Sequence, residues 1–165
     1  MNTTATADVA WKGPALTPKG SRKEFTDTAA IPWTPWIMPG TYFKLFYVDE
    51  ASGRFTFLLK VDPGTQAPVH WHLGTAEAYI LEGGFYYFED DQGFPGAYTA
   101  EMPGAIHQPV SPKGCIMFAV AHGPLSGFNP DGSIGGVCDA KLMYQLARQG
   151  NAAPHVVRMG FLGEH

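Results

Sequence analysis

This chain of 165 residues has few charged residues and few cysteines, and both shortages limit what it can do. Asp, Glu, Lys and Arg together make up 16% of the residues, and the formal net charge is −4. No basic stripe is available to bind phosphates, so we expect no nucleic-acid partner. The two cysteines, Cys115 and Cys138, lack a C-x-x-C spacing. This favours unpaired thiols in a reducing compartment over a single disulfide.

Long apolar runs are also missing. The longest clean apolar stretch, residues 115–121, is far too short to span a bilayer. The first residues lack the basic start and apolar run of a signal peptide. We therefore expect a soluble, cytoplasmic protein without a membrane partner.

Glycine and proline are plentiful, with 20 and 14 residues, and they separate short segments rich in aromatic and β-branched residues. This pattern predicts short strands joined by tight turns. The eight predicted strands are residues 41–48, 54–61, 69–72, 77–81, 85–88, 97–101, 106–110 and 115–121. A single helix is predicted over residues 139–149, because Leu142, Met143 and Leu146 form an apolar stripe ahead of Gly150.

Eight short strands predict an all-β protein, either a β-sandwich or a jelly-roll barrel, in one domain that spans residues 1–165. We expect an N-terminal arm and edge segment (1–40), a barrel core (41–121) and a C-terminal strand, short helix and tail (122–165). The tryptophan-rich segment 31–38 should either pack on a partner subunit or barrel end, or cover its own core. Lys19, Arg22 and Lys23 are expected to be solvated, and His165 to be frayed.

Two histidines separated by one residue are the strongest functional signal. On a strand, His70 and His72 point to the same face, while Trp71 points to the opposite one. His107 follows Pro103 and a glycine in a similar setting. Three converging imidazoles would hold a divalent metal and leave positions open for water or substrate, as a catalytic site requires. His122 and His155, which lie beside glycine or proline, are better explained by surface or core packing.

Five residues have the spacing G-x5-H-x-H-x4-E-x6-G, which resembles the first motif of the cupin family: Gly64, His70, His72, Glu77 and Gly84. Gly96, Gly104 and His107 resemble the second motif. This second match departs from the pattern at Pro103, where proline is expected one residue earlier, and at Ser111, where asparagine is common. The resemblance implies a cupin jelly roll, also called a double-stranded β-helix, with both motifs in its core.

The chain resembles one branch of the cupin family in more detail than the others. Residues 67–83 resemble 2,4'-dihydroxyacetophenone dioxygenases and acetylacetone dioxygenases, and residues 95–98 and 109–115 also resemble the ChrR-type cupins of anti-sigma factors. The resemblance implies one divalent metal per chain, with Fe(II) favoured and Zn, Ni or Mn as other choices. It implies oxygen-dependent cleavage of a carbon–carbon bond beside the carbonyl of a small α-hydroxyketone or β-diketone. A zinc-binding sensory cupin and a cupin isomerase or hydrolase are the alternatives, and a homodimer or homotetramer is expected.

The acidic and aromatic residues around these motifs are further candidates. The resemblance implies either metal ligation or an orienting role for Glu77, and we favour the orienting role. Glu101, six residues before His107, either accepts a hydrogen bond from a ligand imidazole or is a solvated strand residue. The candidates for the substrate pocket are Tyr79, Phe85, Tyr87, Met117 and Phe118.

Overall fold

The computed structural model describes residue 13 and residues 25–160. Within these residues the chain forms a 3-10 turn at Thr28–Ala30, fifteen strands and the helix α1, Ala140–Gln149. The strands are β1 Thr34–Pro35, β2 Thr41–Asp49, β3 Arg54–Val61, β4 Thr65–Gln66, β5 His70–His72, β6 Ala76–Gly83, β7 Tyr86–Phe88, β8 Asp91–Gln92, β9 Tyr98–Glu101, β10 Ile106–His107, β11 Val110–Ser111, β12 Cys115–Ala121, β13 Leu125–Phe128, β14 Ile134–Cys138 and β15 Val157–Met159. Lys19, Arg22, Lys23 and His165 lie outside the described residues.

The strands form three sheets. The seven-stranded sheet has the order β1-β2-β3-β12-β6-β9, and β15 pairs parallel with β2. Two four-stranded sheets have the orders β10-β5-β13-β14 and β4-β11-β7-β8. Every other pairing in the three sheets is antiparallel. The predicted all-β class with one short C-terminal helix is therefore confirmed.

The strand predictions differ from the structure mainly where strands are short. The predicted strand 106–110 is two strands in different sheets, β10 and β11, because Pro109 between them has no N–H to donate to a ladder. Three strands follow residue 121, namely β13, β14 and β15, where the sequence predicts one. Each is only three to five residues long, and β13 and β14 contain glycine, which weakens the strand signal.

Alternation along β12 places the core on one face of the seven-stranded sheet. Cys115, Met117, Ala119 and Ala121 are buried, while the residues between them are less buried. The same face of β2 and β3 contributes the largest fully buried side chains, among them Phe43, Leu45 and Phe55. Both cysteines are unpaired, and burial raises the pKa of each thiol to about 12.

The helix closes one side of this core. Its N-terminus is capped by Asp139, whose carboxylate accepts a hydrogen bond from the backbone N–H of Leu142 at 2.9 Å. Met143 and Ala147 are fully buried against the strands, and Gly150 follows the last turn. No helix within residues 25–160 is long and apolar enough to cross a membrane.

The tryptophan-rich segment 31–38 covers the core of its own chain. Ile31 and Trp36 are buried, and the Trp36 ring lies 5.7 Å from the ring of Phe57. On the other face of the sheet, the Lys44 ammonium donates to the carbonyl of Thr28 at 2.8 Å and lies 4.8 Å from the centre of the Trp33 ring. These contacts agree with the expectation that the segment covers the core of its own chain.

Candidate metal centre

The three predicted histidines lie together, as the sequence predicts. His70 and His72 on β5 are 8% and 4% exposed, and β10 pairs antiparallel with β5 so that His107 lies directly opposite His70. One ligand nitrogen from each ring lies within 4.8 Å of the other two. Among the described residues, this is the one group of three or more histidine, cysteine or acidic side chains arranged to hold a metal ion.

A backbone contact fixes the orientation of the His70 ring. Its Nδ1 lies 2.9 Å from the carbonyl oxygen of Pro68, which has no hydrogen to donate, so Nδ1–H is the donor. The lone pair of the neutral ring is then on Nε2, which lies 3.2 Å from Nε2 of His107. A metal-ligating imidazole is commonly held in this way, through its second nitrogen.

The His107 ring is held by stacking. Its centre lies 4.3 Å from that of Tyr87, and the two planes differ by 13°. Phe85 packs edge-on against Tyr87, with ring centres 5.4 Å apart. The strand that carries His107 has only two residues. The aromatic pair therefore adds a support that the backbone of β10 does not provide.

The donor set fits a divalent metal ion. His72 Nε2 is buried and has no hydrogen-bond partner of good geometry, which is costly unless another group occupies its lone pair. Burial lowers the pKa of His70, and it lowers the pKa of His107 to about 4, so both rings are neutral at pH 7. Neutral imidazoles suit zinc, iron, copper and nickel, and leave further coordination positions open.

Glu101 lies beside these imidazoles. It pairs with Ala76 across β9 and β6, which places its side chain on the inner face, and it is 14% exposed. Its Oε2 lies 3.0 Å from Nε2 of His72 and 3.8 Å from Nε2 of His107. The carboxylate therefore faces the same nitrogens that would bind the metal, and a solvated position on the strand does not describe it.

Glu77 is a correction to the sequence-based expectation. Its neighbour Ala78 points inward on β6, so Glu77 points to the outer face, where it is 38% exposed. There it accepts hydrogen bonds from the Tyr98 hydroxyl at 2.6 Å and from His122 Nε2 at 2.5 Å. Its carboxylate is bound by these two residues and by none of the three converging histidines.

A cavity of about 100 Å³ is lined by His70, His72 and Glu101, together with residues from all three sheets. Three of the five pocket candidates line it, namely Phe85, Tyr87 and Met117. Tyr79 and Phe118 do not, because they pair across β6 and β12 on the outer face, where they are 47% and 40% exposed. The candidates were chosen for their proximity to the motifs in sequence, which does not show which face of a strand a residue occupies. Strand parity would have separated the inward residues from the outward ones.

Much of the cavity wall was not predicted. It comes from the segment before β2, from the inward residues of β3 and from four alanines of β6 and β12. These residues include Trp36, Met38, Phe57, Leu59, Val61, Ala76, Ala78, Ala119 and Ala121. The alternation of apolar residues on β3 and β12 was the available signal, because it marks which residues point inward.

His155 donates to the carbonyl of Leu45 at 2.6 Å, as expected for packing.

Comparison with protein families gives a match over most of this architecture. Residues 21–126, which include both histidine motifs, match the model of the ChrR cupin-like domain. The chain belongs to this cupin family. A search of curated proteins finds no match to the chain.

Solved structures support the cupin fold over nearly the whole chain. A cupin-like protein of unknown function from Ralstonia eutropha is 23% identical, with a TM-score of 0.76 over 88% of this chain and 98% of that one. An RmlC-like cupin from the same organism is 26% identical, with a TM-score of 0.70 over 79% and 87%. An acetylacetone dioxygenase from Acinetobacter johnsonii is 16% identical, with a TM-score of 0.71 over 82% and 97%. The jelly-roll prediction is therefore confirmed.

Proposed function

We propose that this cupin is a non-haem Fe(II) dioxygenase that cleaves a carbon–carbon bond next to a carbonyl group. Its substrate would be a small α-hydroxyketone or β-diketone. The observation that carries the proposal is the meeting of three imidazole nitrogens at one end of an apolar cavity. Three neutral imidazole ligands and the single nearby carboxylate of Glu101 would leave part of the +2 charge unbalanced, which favours a substrate that binds as an anionic oxygen chelate such as an enolate.

The side chains around the centre have separate tasks in this proposal. His70, His72 and His107 hold the ion, which when bound supplies Lewis acidity and redox chemistry toward dioxygen. The Glu101 carboxylate accepts the proton from the carbon beside the carbonyl, so that the ketone becomes an enolate. The apolar walls of the cavity limit the access of water to that carbanion equivalent. Bringing substrate and base together in one cavity lowers the entropic part of the barrier.

Oxygen uptake by the iron-loaded protein tests the reaction. We expect one O₂ consumed per substrate cleaved in a panel of small diketones and α-hydroxyketones. Glu101→Gln should lower kcat/KM by roughly 10²- to 10⁴-fold, as the loss of a general base does. His122→Gln, which alters a histidine on the outer face, is the matched control and should keep full activity. Absence of uptake across the panel at full iron occupancy would favour a zinc-binding sensory cupin, or an isomerase or hydrolase.

We also propose that two copies of the chain associate through the outer face of β6, β9 and β12. Tyr79, Tyr98 and Phe118 are 40–60% exposed there, and such aromatic patches commonly mark protein contacts. Lys60 and Glu82 flank Ile116 in register on the neighbouring strands. A two-fold axis along β12 would therefore place each Lys60 opposite Glu82 of the second copy.

Sedimentation velocity at micromolar concentration tests this contact. We expect a dimer, or a tetramer built from it, and a monomer for Phe118→Asp. Val137→Asp is the matched control, since Val137 is similarly exposed on β14 in another sheet. A monomeric parent chain would contradict the association. A Phe118→Asp variant that stays dimeric would contradict the surface chosen.

A further inference from the structure

Four alanines form one wall of the cavity. Ala119 lies opposite Ala78, and Ala121 lies opposite Ala76, in two successive inward pairs of β12 and β6. All four line the cavity, and Ala78, Ala119 and Ala121 are buried. Side chains larger than alanine usually fill a packed sheet interior. Four methyl groups at these positions therefore leave open space that larger side chains would occupy.

The wall begins at the metal centre. Ala76 pairs with Ala121 on one side and with Glu101 on the other, so that the carboxylate and the methyl groups share the same face of the sheet. A substrate chelated at the three histidines would therefore extend its substituent along the alanines. Any bulk added to this wall would shorten the space available to that substituent.

The size of the cavity limits what fits. Its volume of about 100 Å³ is smaller than the roughly 150 Å³ of an engineered apolar cavity that binds benzene. A short alkyl chain needs less room than a phenyl ring. The space is thus suited to a small aliphatic group and is tight for an aryl group.

The chemistry of the walls limits the charge of the ligand. The lining contains no lysine or arginine among the described residues. Two hydroxyls of the lining are already committed, because Thr41 donates to the carbonyl of Met38 at 2.5 Å and Ser111 to that of Gly84 at 2.7 Å. A carboxylate on the substituent would be buried there without a cationic side chain to pair with, which is strongly unfavourable.

We propose that the alanine wall of Ala76, Ala78, Ala119 and Ala121 selects substrates whose substituent is a short, uncharged aliphatic acyl group. Aryl ketones and ketones with an additional carboxylate are excluded. This inference rests on the proposed dioxygenase function, which leaves both aryl and aliphatic ketones open. It assigns specificity to residues that carry no reactive group.

Substrate-size profiles test the wall. For the iron-loaded parent chain we expect kcat/KM to be highest for β-diketones with methyl to propyl ends and to fall about 10-fold or more for a phenyl end. Ala119→Val and Ala78→Val should shift the optimum to the shortest substrates. Ala51→Val is the matched control, because Ala51 is exposed in the turn between β2 and β3, away from the cavity and from the proposed contact between copies. Equal turnover of aryl and aliphatic ketones, or an unchanged profile in the two inner variants, would overturn the inference.

A second measurement separates this inference from the proposed reaction. In a thermal-shift assay of the purified protein without substrate, cyclopentane should raise Tm for the parent chain and for Ala51→Val. Toluene should raise it less, and Ala119→Val should lose the response to cyclopentane. If oxygen uptake is absent but this pattern holds, the dioxygenase proposal fails while the size-selective cavity stands. If cyclopentane has no effect, or toluene has the larger effect, the cavity argument fails whatever the activity.

Discussion

At the scale of single residues, Tyr87 supports the candidate metal centre without being one of its ligands. Its ring lies nearly parallel to that of His107, and within residues 25–160 no backbone carbonyl accepts a hydrogen bond from this histidine. His70, in contrast, has the carbonyl of Pro68. Stacking and a hydrogen bond thus serve the same purpose for two of the three rings, which is to fix the direction of a lone pair.

Removing the stacked ring should loosen metal binding. We expect Tyr87→Ala to weaken the affinity for a divalent ion by about 10- to 100-fold, the range typical when a support of a metal ligand is lost. Tyr87→Phe keeps the ring and should retain affinity close to that of the parent chain. Competition with a chelator of known affinity measures both. Equal affinities of the alanine and phenylalanine variants would show that stacking does not position His107.

At the scale of elements, a polar network joins β6 to β9 and to the residue after β12. Glu77 accepts hydrogen bonds from Tyr98 on β9 and from His122. The Tyr98 hydroxyl, followed by His122, holds the pKa of Glu77 below its ordinary value of 4.5. A carboxyl group with a lowered folded-state pKa stabilises the fold above its unfolded pKa, and this contribution is lost as pH falls through the folded value.

This linkage predicts a pH-dependent stability difference. Glu77→Gln should unfold at lower urea concentration than the parent chain at pH 7, and the difference should narrow as pH falls below about 4.5. Glu89→Gln, at an exposed turn, is the control and should match the parent at each pH. A Glu77→Gln difference that stays constant from pH 7 to pH 3 would contradict the linkage.

The strands β5, β6 and β9 show why part of the site could be predicted from the sequence and part could not. The H-x-H spacing places His70 and His72 on one face, because the period of a strand is two residues. Glu77 was assigned by its place in a motif. Its parity relative to Ala78 puts it on the outer face, and continuing the alternation of His70 and His72 to residue 77 gives the same result, so strand parity was an available signal for Glu77. Glu101 is on the inner face because it pairs with Ala76, and that register depends on the tertiary structure.

At the scale of the whole molecule, the long strands β2, β3 and β12 and the helix follow from the sequence, since each has a clear period and clear ends. The short strands after residue 121 do not, because three to five residues carry little periodic signal and β13 and β14 also contain glycine. The cavity could not be predicted either. Its walls come from segments as far apart in sequence as Trp36 and Leu125, which only the packing of the sheets brings together.

The candidate metal centre lies against residues of all three sheets, so a bound ion should also stabilise the fold. A ligand that binds only the native state raises stability by about 2.7 kcal/mol at a free concentration 100 times its Kd. We propose that His70, His72 and His107 together hold one divalent ion per chain.

Metal analysis by mass spectrometry, on protein purified without added metal, tests this claim most directly. We predict close to one equivalent of a divalent transition metal in the parent chain and in the control His122→Ala. Less than about a tenth of an equivalent is predicted in each of His70→Ala, His72→Ala and His107→Ala, with the fold retained by circular dichroism. A folded triad variant that keeps a full equivalent, or a parent chain that binds no divalent metal even when it is supplied, would contradict the account.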